Sequence, residues 1–155
     1  ARECLSKSLN VPAVKILESL GVKKATSYLE KLHLPVEDAD KTLALALGGM
    51  QKGFTLNDIL SAYGTFQNGE YTPCAFIKKI VIEEQTVYER QNKTERVFSP
   101  ETAYLTTDML QTAAKTGTAK KLRSLPFSIA AKTGTVGNNN GNSNGTTRYK
   151  IVRVF

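Results

Sequence analysis

Apolar residues recur at helical spacing through the first two-thirds of the chain. The segment 1–9 reads as helix interior. Val14, Leu17 and Leu20 then fall three apart, which places them on one face of a helix that ends at Gly21. Asn10 stands where an N-cap is expected, and Pro12 is tolerated that close to a helix start. A second helix is predicted from about 23 to 32, with Ala25, Tyr28, Leu29 and Leu32 inward. His33 ends that helix before Leu34-Pro35, and the acidic run Glu37-Asp38-Ala39-Asp40 marks a loop. A short apolar segment over 41–47 stops at Gly48-Gly49. Thr55 and Asp58 form a capping-box pattern, with Asp in place of Glu, and its helix should end at Asn68-Gly69.

The pattern then changes to strand-like. Residues 75–82 and 86–90 are rich in β-branched and aromatic side chains and predict a hairpin. Ser99-Pro100-Glu101 is a helix start, and the helix carries Tyr104, Leu105, Met109 and Leu110. Residues 127–131, after Pro126, predict a short buried strand. Residues 137–145 are almost all Asn, Gly and Ser and predict a loop or disorder, and 147–155 is a last strand or a frayed tail. The fold class expected from this order is α+β, a helical region followed by a partial antiparallel sheet.

Composition narrows the function classes. The chain has 155 residues, enough for one domain with a core. No apolar run approaches the roughly 20 residues needed to cross a bilayer. It opens on Ala1 rather than methionine, so an excised or incomplete piece is expected. The formal charge of +7 raises a nucleic-acid reading, but the lysines are scattered in short pairs and no aromatic residues interleave with them. A solvated basic surface, with no nucleic-acid partner, is therefore expected. Cys4 and Cys74 have no CxxC spacing and His33 is the one histidine, so neither a disulfide framework nor a metal site is indicated.

The tetrapeptide Lys-Thr-Gly-Thr occurs twice, at Lys115-Thr116-Gly117-Thr118 and at Lys132-Thr133-Gly134-Thr135. The first copy ends a helix and runs into the charged Ala119-Lys120-Lys121, which reads as structural. The second follows an apolar strand that would hold its lysine rigidly. An ammonium and two hydroxyls on one strand suit a carboxylate, Gly134 would let a ligand approach the backbone, and a free strand edge would pair with an extended peptide. Ser8 and Asn10, two residues apart at a helix junction, are a second candidate pair; alternatively, Asn10 simply caps its helix.

Together these residues resemble the serine acyl-enzyme signature of β-lactamases and penicillin-binding proteins, in which S-x-x-K, S-D-N and K-T-G recur. The segment Ser8-Leu9-Asn10-Val11-Pro12-Ala13-Val14 resembles the second motif of class A, bifunctional penicillin-binding proteins. Leu45-Ala46-Leu47-Gly48-Gly49, then Gly53-Phe54-Thr55-Leu56 and Ala62-Tyr63 through Asn68-Gly69, resemble that family's LGG, GxT, AY and NGG elements. Ser99-Pro100-Glu101-Thr102-Ala103, Met109-Leu110 and Gly117-Thr118-Ala119 resemble the helix and GTA element before the third motif.

The resemblance implies a β-lactamase/transpeptidase-like fold, incomplete here. It implies a partial transpeptidase domain over 1–137, followed by an Asn/Gly-rich loop and an atypical tail over 138–155. It implies a peptidoglycan D,D-transpeptidase that cross-links stem peptides through a serine acyl-enzyme and binds β-lactams, on the outer face of the bacterial cell membrane, in a membrane-anchored parent protein. No cofactor is implied. Ser8, Asn10 and Lys132 would be catalytic, with Ser8 relaying a proton, Asn10 holding the substrate amide and Lys132 supplying positive potential. Thr133, Gly134 and Thr135 would bind substrate, with the Thr135 N–H as half of an oxyanion hole.

Two departures qualify these expectations. No Ser-x-x-Lys occurs anywhere in the chain; in the family it precedes the Ser8 segment, so the nucleophile is expected upstream and the isolated chain is expected to be inactive. The ending after Gly145 also departs from the family pattern, which would leave a sheet edge unpaired and stability marginal. The rival readings are a non-catalytic fragment of the same fold and a penicillin-recognising domain related to serine β-lactamases.

Overall fold

The computed structural model describes residues 1–91, 93–137 and 146–154, with side chains described as far as Gly134. The helices are α1 (Arg2–Lys7), α2 (Asn10–Leu20), α3 (Val22–Lys31), α4 (Leu56–Gly64) and α5 (Pro100–Lys115). The strands are β1 (Glu70–Tyr71), β2 (Lys79–Ile82), β3 (Gln85–Glu89), β4 (Glu95–Arg96), β5 (Ile129–Gly137) and β6 (Thr146–Val154). They form three antiparallel pairs, β1–β4, β2–β3 and β5–β6. The architecture is α+β, as expected.

Local chemistry accounts for most boundaries. At α4 the capping box is complete: the Asp58 N–H donates to Thr55 Oγ1 at 3.2 Å, and the Thr55 N–H donates to Asp58 Oδ2 at 3.0 Å. Helix α4 ends at Gly64, short of the expected end at Asn68-Gly69, because its last turn tightens into a 3-10 turn at Thr65–Gln67; the chain then reverses at Gly69, whose φ of 87° is left-handed. At α5, Ser99 Oγ accepts from the Thr102 N–H at 3.2 Å, and Pro100 occupies the first turn, where no N–H is needed. The turn between α3 and Leu34 places His33 at φ 55°.

Several expectations need correction. Asn10 is the first residue of α2 rather than its cap; Leu9 holds the cap position and no side chain caps the helix. Leu17 is buried as expected, but Leu20, the last residue of α2, is exposed. The hairpin begins at Lys79, leaving 75–78 outside it. Phe127 lies outside the strand and is half exposed, since β5 begins at Ile129, where the chain first tucks under α5. The 147–155 segment forms strand β6 through Val154, paired with β5 from Ile129↔Val154 to Gly137↔Thr146. The Asn-rich loop predicted over 137–145 lies outside the described residues from 138 onward.

Two apolar clusters make the core. One gathers Leu32, Leu34, Ala62, Tyr71 and Val97, with Tyr28, Leu29, Phe54 and Phe98 packed against it. Here Phe98 stacks between Tyr28 and Phe66 at centroid distances of 5.7 and 5.6 Å. The other joins Ala114, Ala119, Ile129 and Ala131, with Leu122 against it. Alanines dominate this second cluster, so helix α5 and strand β5 approach closely. Helix α5 is thus the spine of the molecule. It carries β5 on one side and α1 on the other, and the Arg2 guanidinium ties α1 to it through the Asp108 carboxylate, the Asp108 carbonyl and Thr112 Oγ1.

Candidate functional site

The close packing of α1, α5 and β5 brings three distant segments to one cavity of about 1010 Å³. Its walls include Ser8, Asn10, Thr118, Lys132, Thr133 and Gly134, and its floor is apolar, with Leu5, Ala13, Ile16 and Met109.

Ser8 follows α1 as its C-cap, with φ 56° and ψ 49°. A left-handed serine costs on the order of 1 kcal/mol and persists only where its surroundings hold it. Here the Ser8 N–H donates to the Leu5 carbonyl and the Leu9 N–H to the Cys4 carbonyl, which closes the helix and turns the Ser8 hydroxyl out to the cavity. Asn10 starts α2 with its side chain exposed on the same cavity, so it is free of the capping role and available to a ligand.

Lys132 reaches across from β5. Its ammonium donates to Ser8 Oγ at 2.7 Å and to the Thr133 carbonyl at 2.8 Å. Partial burial of the amine lowers its pKa below the usual lysine value, because desolvation disfavours the charged form. Among the described residues no carboxylate side chain lines the cavity, whereas Lys121 adds a second cation to its wall. A site with two ammonium groups and no acid suits an anionic ligand.

Of the sequence-predicted residues, Ser8, Asn10, Lys132, Thr133 and Gly134 therefore share one cavity. Thr135 lies in β5 opposite Arg148, and its side chain is outside the described residues.

Sequence reasoning missed Thr118. The first Lys-Thr-Gly-Thr copy was expected to be structural and to lead into a surface stretch. Instead the Thr118 hydroxyl lies 2.7 Å from the Thr133 hydroxyl and lines the cavity, while Ala119 is buried. Its lysine, Lys115, is exposed at the end of α5, as a surface residue would be. The duplicated motif was the available signal, but only the packing shows that the two copies touch. Arg2 was also missed; nothing local marks its reach to α5.

Comparison with known proteins places the chain in a family. The model of the penicillin binding protein transpeptidase domain matches residues 1–155, including the strand after the Asn-rich stretch. Penicillin-binding protein 1A of Clostridium botulinum is 34% identical over 139 residues, covering 86% of this chain and 17% of that protein. Penicillin-binding protein 1A/1B of Bacillus subtilis is 33% identical over 154 residues, covering 97% of this chain and 16% of that protein. The chain thus spans about one-sixth of the length of these curated relatives. In fold it is similar to penicillin-binding protein 1A from Haemophilus influenzae, with a TM-score of 0.74 at 22% identity over 86% of this chain and 26% of that one. It is also similar to penicillin-binding protein 3 from Mycobacterium tuberculosis, crystallised with aztreonam, with a TM-score of 0.75 at 20% identity over 95% of this chain and 39% of that one. The chain belongs to the transpeptidase-domain family of penicillin-binding proteins, of the class A, 1A type.

Proposed function

We propose that this chain forms the carboxylate-recognising half of a peptidoglycan D,D-transpeptidase site. The observation that carries the reading is the bond from the Lys132 ammonium to Ser8 Oγ across the cavity, 2.7 Å long between residues 124 apart in sequence. In the proposed reaction a serine attacks the carbonyl between the two D-alanines of a stem peptide. The C–N bond breaks, the terminal D-alanine leaves with a proton, and the acyl group passes to an amine of a neighbouring stem. A β-lactam mimics the donor and acylates the same serine.

Each residue has a role in that chemistry. Lys132 donates to Ser8 Oγ, which leaves the Ser8 hydrogen free to move toward the departing amine. Asn10 holds the donor's amide. The ammonium and the Thr133 and Thr135 hydroxyls receive the terminal carboxylate, Gly134 allows its close approach, and the Thr135 N–H serves as half of the oxyanion hole. No cofactor takes part. The apolar floor of Leu5, Ala13, Ile16 and Met109 is a seat for the segment carrying the nucleophile. Domain limits of 1–137 with a separate ending over 138–155, and a parent protein anchored at the outer face of the cell membrane, belong to the same reading. Among the described residues no helix is long and apolar enough to cross a membrane.

Because the chain contains no Ser-x-x-Lys, it acts by itself as a binding fragment without acyl transfer. Incubation with a fluorescent penicillin followed by a denaturing gel is expected to show no covalent band. NMR titration with N-acetyl-D-Ala-D-Ala is expected to shift the Lys132 and Thr133 signals in the wild type, and to leave the Thr133 signal unmoved in Lys132→Ala. A covalent band, or a wild type whose Lys132 and Thr133 signals ignore the dipeptide at millimolar concentration, contradicts the proposal.

A further inference from the structure

The loop after α5 is held unusually tightly for a surface connection. The Thr118 N–H donates to the Ser6 carbonyl at 3.0 Å, and the Ala119 N–H donates to the Ala113 carbonyl at 3.2 Å. A Cβ on Gly117 would lie 2.3 Å from the Ser6 carbonyl oxygen and 2.9 Å from Ala113 Cα, so α1 and α5 close on this residue from two sides. The backbone on both sides of the Thr118 side chain is therefore fixed. That side chain lines the cavity with its hydroxyl 2.7 Å from Thr133 Oγ1. Among the described residues, Thr118 is the side-chain partner of Thr133.

We propose that Thr118 is a positioning residue that sets the Thr133 hydroxyl as a hydrogen-bond donor to the ligand's carboxylate. The inference rests on the carboxylate-recognition reading above. Proton counting carries it. Each hydroxyl has one hydrogen, and the pair at 2.7 Å uses one of the two. With no anion bound, either oxygen can be the donor. A carboxylate only accepts, so when it binds Thr133 it takes the Thr133 hydrogen. The bond between the threonines must then be supplied by Thr118, giving a directed chain from Thr118 to Thr133 to carboxylate. Donors in such a chain polarise one another, and the Thr133 hydroxyl binds an anion better for accepting from Thr118. The first Lys-Thr-Gly-Thr copy thereby supports the second: Gly117 permits the close approach and Thr118 makes the contact.

The test is an NMR titration of the full chain with N-acetyl-D-Ala-D-Ala and with its C-terminal amide. It uses the wild type, Thr118→Ser and Thr118→Val, the last of which keeps the branched shape and removes the hydroxyl. For the acid, Thr118→Ser is expected to bind within about 2-fold of wild type and Thr118→Val about 3- to 10-fold more weakly, the range of one net hydrogen bond. For the amide, which presents no carboxylate, the three proteins should be alike. In a Thr133→Val background, where the chain is already broken, Thr118→Val should have no further effect. Equal binding of the acid by wild type and Thr118→Val overturns the inference, as does an equal loss for acid and amide.

A wild type that does not prefer acid to amide counts against the carboxylate-recognition reading instead. In that event the three-bond couplings that report the Thr133 χ1 rotamer decide the positioning role. One rotamer in wild type and Thr118→Ser but averaging in Thr118→Val supports it, and identical couplings in all three overturn it. Should Thr118→Val fail to fold, Thr118→Ala is read in the same way.

Discussion

Replacing Gly117 by alanine tests how closely the site depends on backbone packing. The added methyl would meet the Ser6 carbonyl oxygen at 2.3 Å, the Ser6 carbonyl carbon at 2.9 Å and Ala113 Cα at 2.9 Å. All three are backbone atoms of α1 or α5, so no side chain can rotate aside. Helix α1 must withdraw, and the Thr118 N–H then loses its bond to Ser6. Overpacking and one lost hydrogen bond together predict a destabilisation of about 2–4 kcal/mol. For a chain of this size that corresponds to a fall in Tm of roughly 5–15 °C. Gly53→Ala is the control. No atom lies within 4 Å of its would-be Cβ and its backbone is not left-handed, so it should be neutral or gain up to about 1 kcal/mol. Urea unfolding followed by far-UV circular dichroism gives both midpoints. The same variant should disturb the Ser8 and Thr133 resonances, since both neighbour the displaced helix end. A Gly117→Ala midpoint equal to wild type, or no lower than that of Gly53→Ala, refutes the account of this packing.

Three further outcomes follow from other parts of the molecule. Lys132 should titrate below the exposed lysines when followed through its side-chain NMR signals, because burial lowers its pKa. The sign for stability is that the unfolded chain holds this proton more tightly, so stability rises with pH between the folded and unfolded lysine values; binding of a carboxylate falls over the same rise, and co-titration with the other lysines contradicts both. Thr55→Ala removes the hydroxyl accepting from the Asp58 N–H and should cost about 1 kcal/mol in urea unfolding, whereas Thr55→Ser should cost little. The β2–β3 turn places Glu83 and Glu84 at φ 48° and 66°, where β-hairpins favour Asn-Gly. The pair Glu83→Asn with Glu84→Gly should stabilise the hairpin by about 1–2 kcal/mol, seen as slower amide exchange at Ile80 and Tyr88, and unchanged exchange argues against strain in the turn.

Elements whose causes lie within a few residues could be read from the chain alone. The Thr55–Asp58 box, the Ser99-Pro100 start, the left-handed reversal at Gly69 and the β2–β3 hairpin all depend on neighbours in sequence. Ordered motifs also carried the family and the candidate residues Ser8, Asn10 and Lys132. The reading failed where a position had two plausible local roles. Asn10 has the chemistry of a cap, yet Ser8 turns left-handed and closes α1, so α2 starts one residue early. The two Lys-Thr-Gly-Thr copies are identical as text; one lysine reaches Ser8 and the other faces solvent.

That difference arises from tertiary contacts, the longest of which join residues more than a hundred apart: Arg2 with Thr112, 110 apart, and Ser8 with Lys132, 124 apart. The alanines of α5 and β5 allow those elements to approach, Arg2 fastens α1 to α5, and the cavity between them joins Ser8, Thr118 and Lys132. Chain order specifies which groups are available for the chemistry. Their distances are set by how closely the helices and the strand pack, a property of the whole fold that no local stretch of residues encodes.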